Sequence, residues 1–212
     1  KSPDRIEAKC EVYGICGGCS FQHLSAQNQI KIKETWLKSA FMGQSKIEPK
    51  EWLEPLQVDS WGYRRKARLG VRYVAKKEKV LVGFREKKSS FITVMSRCEV
   101  LYPSLGNNLE IIAECIGKLS IREYIPQIEV AIAESDTILI LRHLHPLTES
   151  DESILIKYGE KLSITWYVQS GGLDTVKPLM EAIKLTYSIP DHNIKMTFLP
   201  NDFTQVNFDI NQ

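Results

Sequence analysis

The sequence predicts an α+β fold, a mainly antiparallel sheet with packed helices and an N-terminal cysteine-rich loop suited to binding a metal or cluster. Three observations carry that prediction. Short apolar runs alternate with period two between polar turns, as half-buried strands do. Helical stretches interrupt them without the regular βαβ series of a doubly wound domain. Cys10, Cys16 and Cys19 fall within ten residues of one another around Gly17-Gly18.

At 212 residues, with 43% hydrophobic and 25% charged residues, the chain can bury a full core. It has no run of about 18 apolar residues, and Lys1-Ser-Pro-Asp-Arg5 lacks the apolar centre of a signal peptide. A cytoplasmic location without membrane contact is the expectation. Five cysteines, unevenly placed, are too few for a disulfide scaffold and suit a reducing compartment with a metal role. The absence of an initial Met suggests a piece of something longer.

Taken in order, residues 24–42 read as a helix with Ile30, Leu37 and Phe41 on one face, ended by Gly43, and residues 44–60 as a connecting loop. From Tyr63, period-two alternation puts Ala67, Leu69, Val71 and Tyr73 on one face and Lys66, Arg68 and Arg72 on the other. A turn at 76–79, a returning strand at 80–85 and a third strand at 91–95 that delivers Cys98 follow. Leu105, Leu109, Ile112, Ile116 and Leu119 step along one helix face over 103–119, with Pro103 in the first turn. Residues 128–132 and 138–142 form a hairpin, Thr148 caps a helix to about Lys161, and 164–169 is a strand before Ser170-Gly171-Gly172, a weak phosphate-loop signal. A second hairpin, 184–189 with 194–198, precedes Asp202-Phe203-Thr204-Gln205-Val206-Asn207.

The C-x5-C-x2-C spacing can bring three thiolates to one centre, with the two glycines allowing positive φ and close backbone approach. Both zinc and a cubane cluster normally want a fourth ligand. Cys98, Cys115 and His23 are the choices, and Cys98, in a loop after an alternating run, is the better one. Cys115 lies inside an amphipathic helix, where a lone Cys is usually a small core hydrophobe. The competing reading is a disulfide plus a spare thiol.

Charge is concentrated. Residues 61–97 hold twelve Lys or Arg against two acids, a local +10 in a chain of net +2. Tyr63-Arg64-Arg65-Lys66-Ala67-Arg68 mixes an aromatic with guanidinium groups, which suits phosphate contact and base stacking on RNA, with Arg64, Arg65 and Arg68 as the candidates. A merely solvated basic hairpin is the plainer reading.

Together the cysteine motif through Gln22-His23, the Tyr63–Arg68 tract, Gly83-Phe84-Arg85, Cys98, Leu141-Arg142-His143 and Asp202-Phe203-x-Gln205-Val-Asn207 resemble the bacterial 23S rRNA (uracil-5)-methyltransferases, most closely the RlmD type. The match runs through essentially the whole chain. The resemblance implies a [4Fe-4S] cluster on Cys10, Cys16, Cys19 and Cys98, S-adenosyl-L-methionine as cofactor with Gln205 as one contact, and 23S rRNA as partner, with no obligate protein partner. It further implies a central domain whose residues 1–100 carry cluster loop, helix and basic strands and whose residues 101–200 complete the α+β unit. Residues 201–212 would begin the connection to a C-terminal methyltransferase domain. The family's Asp-Leu-x-Cys-Gly-x-Gly motif and its nucleophilic cysteine have no counterpart here, so no catalytic residue is assigned and the piece alone is expected to be inactive. Cys115, with no base or thiolate-stabilising charge in its neighbourhood of sequence, is not a nucleophile candidate. Two other classes fit part of the pattern: a zinc-stabilised RNA-binding module without enzymatic activity, and, less well, a redox electron carrier.

Overall fold

The computed structural model describes residues 2–45 and 48–211. Ser25 caps the first helix, α1 (Ala26–Ala40), by accepting the Asn28 amide, and Phe41–Ser45 continues it as a π-helical turn. The expected apolar face does not find a core. No residue of α1 is buried, and Trp36 and Leu37 are 59% and 51% exposed; Trp36 meets the Phe21 ring of the preceding cysteine loop. Residues 46 and 47 of the expected loop lie outside the described residues.

Strands β1 (Lys66–Val74) and β2 (Lys79–Gly83) form a hairpin, and β1 pairs on its other side with β3 (Gln127–Ile132), which pairs with β4 (Thr137–Arg142). These contacts are antiparallel. The next strand, β5 (Thr165–Gln169), joins β4 in parallel after a helical crossover, and the short β6 (Lys177–Pro178) closes the order β2-β1-β3-β4-β5-β6. Two segments bordering this sheet depart from expectation. Residues 91–95 are not a strand; they make one bridge, Arg85 with Ile92, and lay Ile92 across Gly70, where a Cβ would meet its Cδ1 at 2.2 Å. The helix expected over 103–119 is broken into α2 (Pro103–Gly106) and α3 (Leu109–Gly117), since Gly106-Asn107-Asn108 are weak helix formers and Gly106 packs against the Cys98 carbonyl.

The crossover helix α4 (Glu149–Leu162) starts in a capping box between Thr148 and Asp151. Asp151 also accepts the Ser120 amide and hydroxyl, each at 2.7 Å, fastening α4 to the chain leaving α3. Burial alone would raise its carboxyl pKa, but these bonds from Ser120 and Thr148 prevail and lower it.

Both faces of the sheet centre are covered. Leu139 and Leu141 of β4 join Leu69, Ile112, Ile116, Ile128 and Leu155 on the helix side, while Ile138 and Ile140 join Ala131, Tyr167 and Leu185 on the other. That is why β4 reads as an unbroken apolar run. The second face is covered by a separate hairpin, β7 (Leu185–Ile189) with β8 (Ile194–Phe198), followed by the short α5 (Phe208–Asn211). The fold is thus α+β, with the sheet running through residues on both sides of position 100.

Candidate metal centre and cofactor edge

The cysteine loop is fastened to the chain leaving β2 as a makeshift extra strand. Gly17 N–H donates to the Arg85 carbonyl at 2.8 Å, Lys87 N–H donates to the Ile15 carbonyl at 2.8 Å, and Cys16 bridges Glu86. Gly17 and Gly18 serve this by closeness and not by handedness: neither has positive φ, which falls instead on Gly14, at 100°. A Cβ on Gly17 would lie 2.8 Å from the Arg85 carbonyl oxygen, and one on Gly18 would lie 3.1 Å from the Phe84 ring. The ends of the loop are joined by Gln22, a buried amide whose Oε1 accepts the Cys10 N–H at 3.1 Å.

Cys98 arrives from the other direction, fixed by its N–H to the Gly106 carbonyl at 2.8 Å. Cys10, Cys16, Cys19 and Cys98 line one cavity, roofed by Phe84, Met95 and Val100. Backbone amides face three of the sulfurs: Gly18 N–H stands 3.4 Å from Cys16 Sγ, Val12 donates to Cys10, and Leu101 and Val100 donate to Cys98. Burial raises the Cys10 and Cys98 thiol pKa values, and those amide bonds oppose it. No disulfide occurs; all five cysteines are free.

The other two ligand choices lie elsewhere. Cys115 is fully buried in α3, its pKa pushed up to about 12 by burial, which leaves an inert thiol. His23 Nδ1 is 2.5 Å from the Tyr13 hydroxyl, which is itself 2.7 Å from the Ser20 carbonyl. A hydroxyl with one proton serves both if it donates to Ser20 and accepts from a protonated Nδ1. Gln22 and this Tyr13–His23 pair bind the loop together; the sequence showed the residues but no signal that separated them from other loop polar groups. Among the described residues, no group of three or more His, Cys, Asp or Glu side chains is arranged to hold a metal ion.

The arginine candidates are not equivalent. Arg68 is exposed and paired with Glu129 at 2.8 Å. Arg65 turns inward, donating to the Ala133 carbonyl at 2.8 Å, with its guanidinium 4.0 Å from the Tyr102 ring centre and 4.8 Å from that of Phe208. Arg64 is partly buried and forms backbone bridges to Leu101 and Asn207.

Gln205 lies in an irregular stretch, exposed, near Phe203 at 84% exposure. Both edge a mainly apolar groove of about 290 Å³ between β7–β8 and α5, whose floor includes Arg65, Ile132, Phe198 and Phe208. The structure therefore sets the four cysteines around one cavity and Gln205 along a separate groove.

No family model matches the chain. Curated relatives named 23S rRNA (uracil(1939)-C(5))-methyltransferase RlmD do. That of Vesicomyosocius okutanii is 63% identical over 209 residues, covering 99% of this chain and 48% of the relative. Those of Nitrosococcus oceani and Cupriavidus necator are 47% and 44% identical, covering 99% and 98% of this chain and 47% of each relative. A solved structure, Pyrococcus abyssi tRNA (uracil-54, C5)-methyltransferase in complex with S-adenosyl-L-homocysteine, aligns with a TM-score of 0.64 at 18% identity, over 98% of this chain and 48% of that one. The chain spans about half the length of the curated relatives it matches. Along essentially its whole length, the chain is a homologue of the RlmD-type 23S rRNA (uracil-5)-methyltransferases, in agreement with the resemblance read from its motifs.

Proposed function

We propose that this chain is the central iron-sulfur, RNA-facing part of an S-adenosylmethionine-dependent methyltransferase that forms 5-methyluridine in 23S rRNA. The observation that carries the reading is identity of 44 to 63% to proteins so named, sustained over 98 to 99% of the chain. Residues 1–100 supply cluster loop and basic strands, residues 101–200 complete the domain, and residues 201–212 lead toward the part that the relatives have in addition. The nucleophile and most of the cofactor pocket belong to that part.

Cys10, Cys16, Cys19 and Cys98 are the ligands of a [4Fe-4S] cluster. Four thiols around one cavity, with amides aimed at three of them, support this assignment, because hydrogen bonds to sulfur stabilise the thiolate that a cluster needs. A single zinc ion would need its sulfurs about 2.3 Å from one point. Iron and acid-labile sulfide analysis beside zinc analysis separates the two. When bound, the cluster ties the N-terminal loop to the chain before α2; methyl transfer to uracil needs no electron from it.

Of the twelve Lys and Arg in 61–97, nine are exposed, Arg68 and Arg72 among them, and they form the surface offered to RNA phosphates. In this setting Gln205 donates and accepts hydrogen bonds with the methyl donor at the groove edge. The test uses the full-length protein, purified without oxygen. Iron and acid-labile sulfide near four each per chain, with methyl transfer from labelled S-adenosylmethionine to 23S rRNA, is the expected result. Zinc at one per chain with no transfer would establish the non-enzymatic RNA-binding module instead. Changing Arg68 and Arg72 to Gln should reduce the log-log salt slope of RNA binding by roughly 0.7 for each single-strand phosphate no longer neutralised.

A further inference from the structure

The three basic residues of 61–97 that are not exposed are consecutive: Arg64, Arg65 and Lys66. All three hold the segment 199–208. Lys66 Nζ donates to the Pro200 carbonyl, Arg65 N–H donates to the Val206 carbonyl at 3.1 Å, and Arg64 bridges Asn207. The segment adds only the local Leu199–Asp202 turn, Leu199 N–H to Asp202 Oδ2 at 2.7 Å and Asp202 N–H to the Leu199 carbonyl at 2.9 Å, and belongs to no strand. A stretch without a ladder must have its backbone entropy offset by contacts of this kind.

We infer that Arg65 is a positioning residue for the cofactor edge, fixing Gln205 through a guanidinium packed on Tyr102 and Phe208 while its own N–H holds Val206. This inference rests on the reading of Gln205 as a contact to the methyl donor. The geometry leaves Arg65 little for RNA: its guanidinium packs on the Tyr102 and Phe208 rings and one nitrogen is committed to the Ala133 carbonyl. Planarity is what that packing uses, and lysine does not supply it. A phosphate contact, by contrast, tolerates lysine as a point charge.

Arg65→Lys in the full-length protein therefore separates the two roles. The dissociation constant for S-adenosylhomocysteine, by calorimetry, should rise about 10-fold, as for outer partners that orient a ligand-contacting group, with the salt slope of RNA binding unchanged. In a Gln205→Ala background the same change should add little, because it acts through the missing side chain. If Gln205→Ala leaves cofactor affinity unchanged, the underlying reading of Gln205 fails. If Gln205→Ala weakens binding and Arg65→Lys does not, the positioning inference alone fails. A lower melting temperature with intact cofactor affinity would likewise overturn it, as would a salt slope reduced by roughly 0.7. Should Arg65→Lys not fold, Phe208→Leu removes one of the two rings, keeps the charge and carries the same expectations.

Discussion

The cysteine loop and the 199–208 segment are both irregular, and both are fastened to the sheet near β1, yet they are finished in opposite ways. In the first, side chains point inward: Cys16 and Cys98 are each 7% exposed and meet over one cavity. In the second, inward contacts are made by backbone and by residues of β1, and the distinctive side chains face outward, with Phe203 at 84% exposure. A loop whose reactive atoms face one another is completed by what it encloses. One whose side chains face a groove is completed by what arrives from outside. Substitutions in the first should register as stability, and in the second as binding.

The largest effect sharpens the first half of that contrast. Replacing Cys10, Cys16, Cys19 or Cys98 by Ser should abolish the brown chromophore of anaerobically purified protein and lower Tm by roughly 6 to 12 °C, the shift about 3 kcal/mol gives in a chain of 150–250 residues. Absorption, iron analysis and a melting curve measure it. Cys115→Ser should keep the full chromophore, although its buried hydroxyl costs about 1–3 kcal/mol if unpaired. A full iron complement in Cys98→Ser would remove Cys98 from the ligand set.

A smaller effect comes from the loop's seam with the sheet. Gly17→Ala must push its Cβ away from the Arg85 carbonyl, which stands 2.8 Å off, and so stretch the bond that Gly17 N–H makes to the same oxygen. A loss of about 1–3 kcal/mol is expected. Gly43→Ala is the matched control, since nothing lies within 4 Å of a Cβ there, and it should be neutral or stabilising by about 0.4–1 kcal/mol. Equal melting temperatures for the two variants would mean that the seam at Arg85 carries no strain.

What the sequence disclosed divides along the same line. Period-two runs located β1, β3 and β4, and Thr148 with acidic residues after it located the start of α4, because these signals are local. The spacing of Cys10, Cys16 and Cys19 was legible for the same reason. The break at Gly106-Asn107-Asn108 depends on Cys98 pressing on Gly106, a contact absent from any window of sequence. The tract at 64–68 was legible only as charge for a related reason: a run of cations looks alike whether it faces solvent or a distant segment, and only side-chain bonds such as Arg65 to Ala133 and Lys66 to Pro200 tell its members apart. Exposure of α1 was illegible too, since its apolar stripe is ordinary and only tertiary placement leaves it uncovered.

The smallest effect on stability, and the clearest on binding, belongs to Gln205. Its side chain is exposed beside the groove, so truncation to Ala removes little packing and no backbone tether; the tethers of this segment are at Pro200, Val206 and Asn207. Melting of the cofactor-free full-length protein should therefore stay within about 0.5 kcal/mol of the parent, the usual range for a surface change. Loss of one or two hydrogen bonds to a bound donor, at about 0.5–1.5 kcal/mol each, should raise the dissociation constant for S-adenosylmethionine by roughly 2- to 160-fold. The 212-residue chain by itself should show no appreciable binding in the same titration, since one edge of a groove does not enclose a ligand. A Gln205→Ala protein that melts well below the parent yet binds the donor normally would place Gln205 with the cysteine loop, as a residue that holds its segment and not one that serves a ligand.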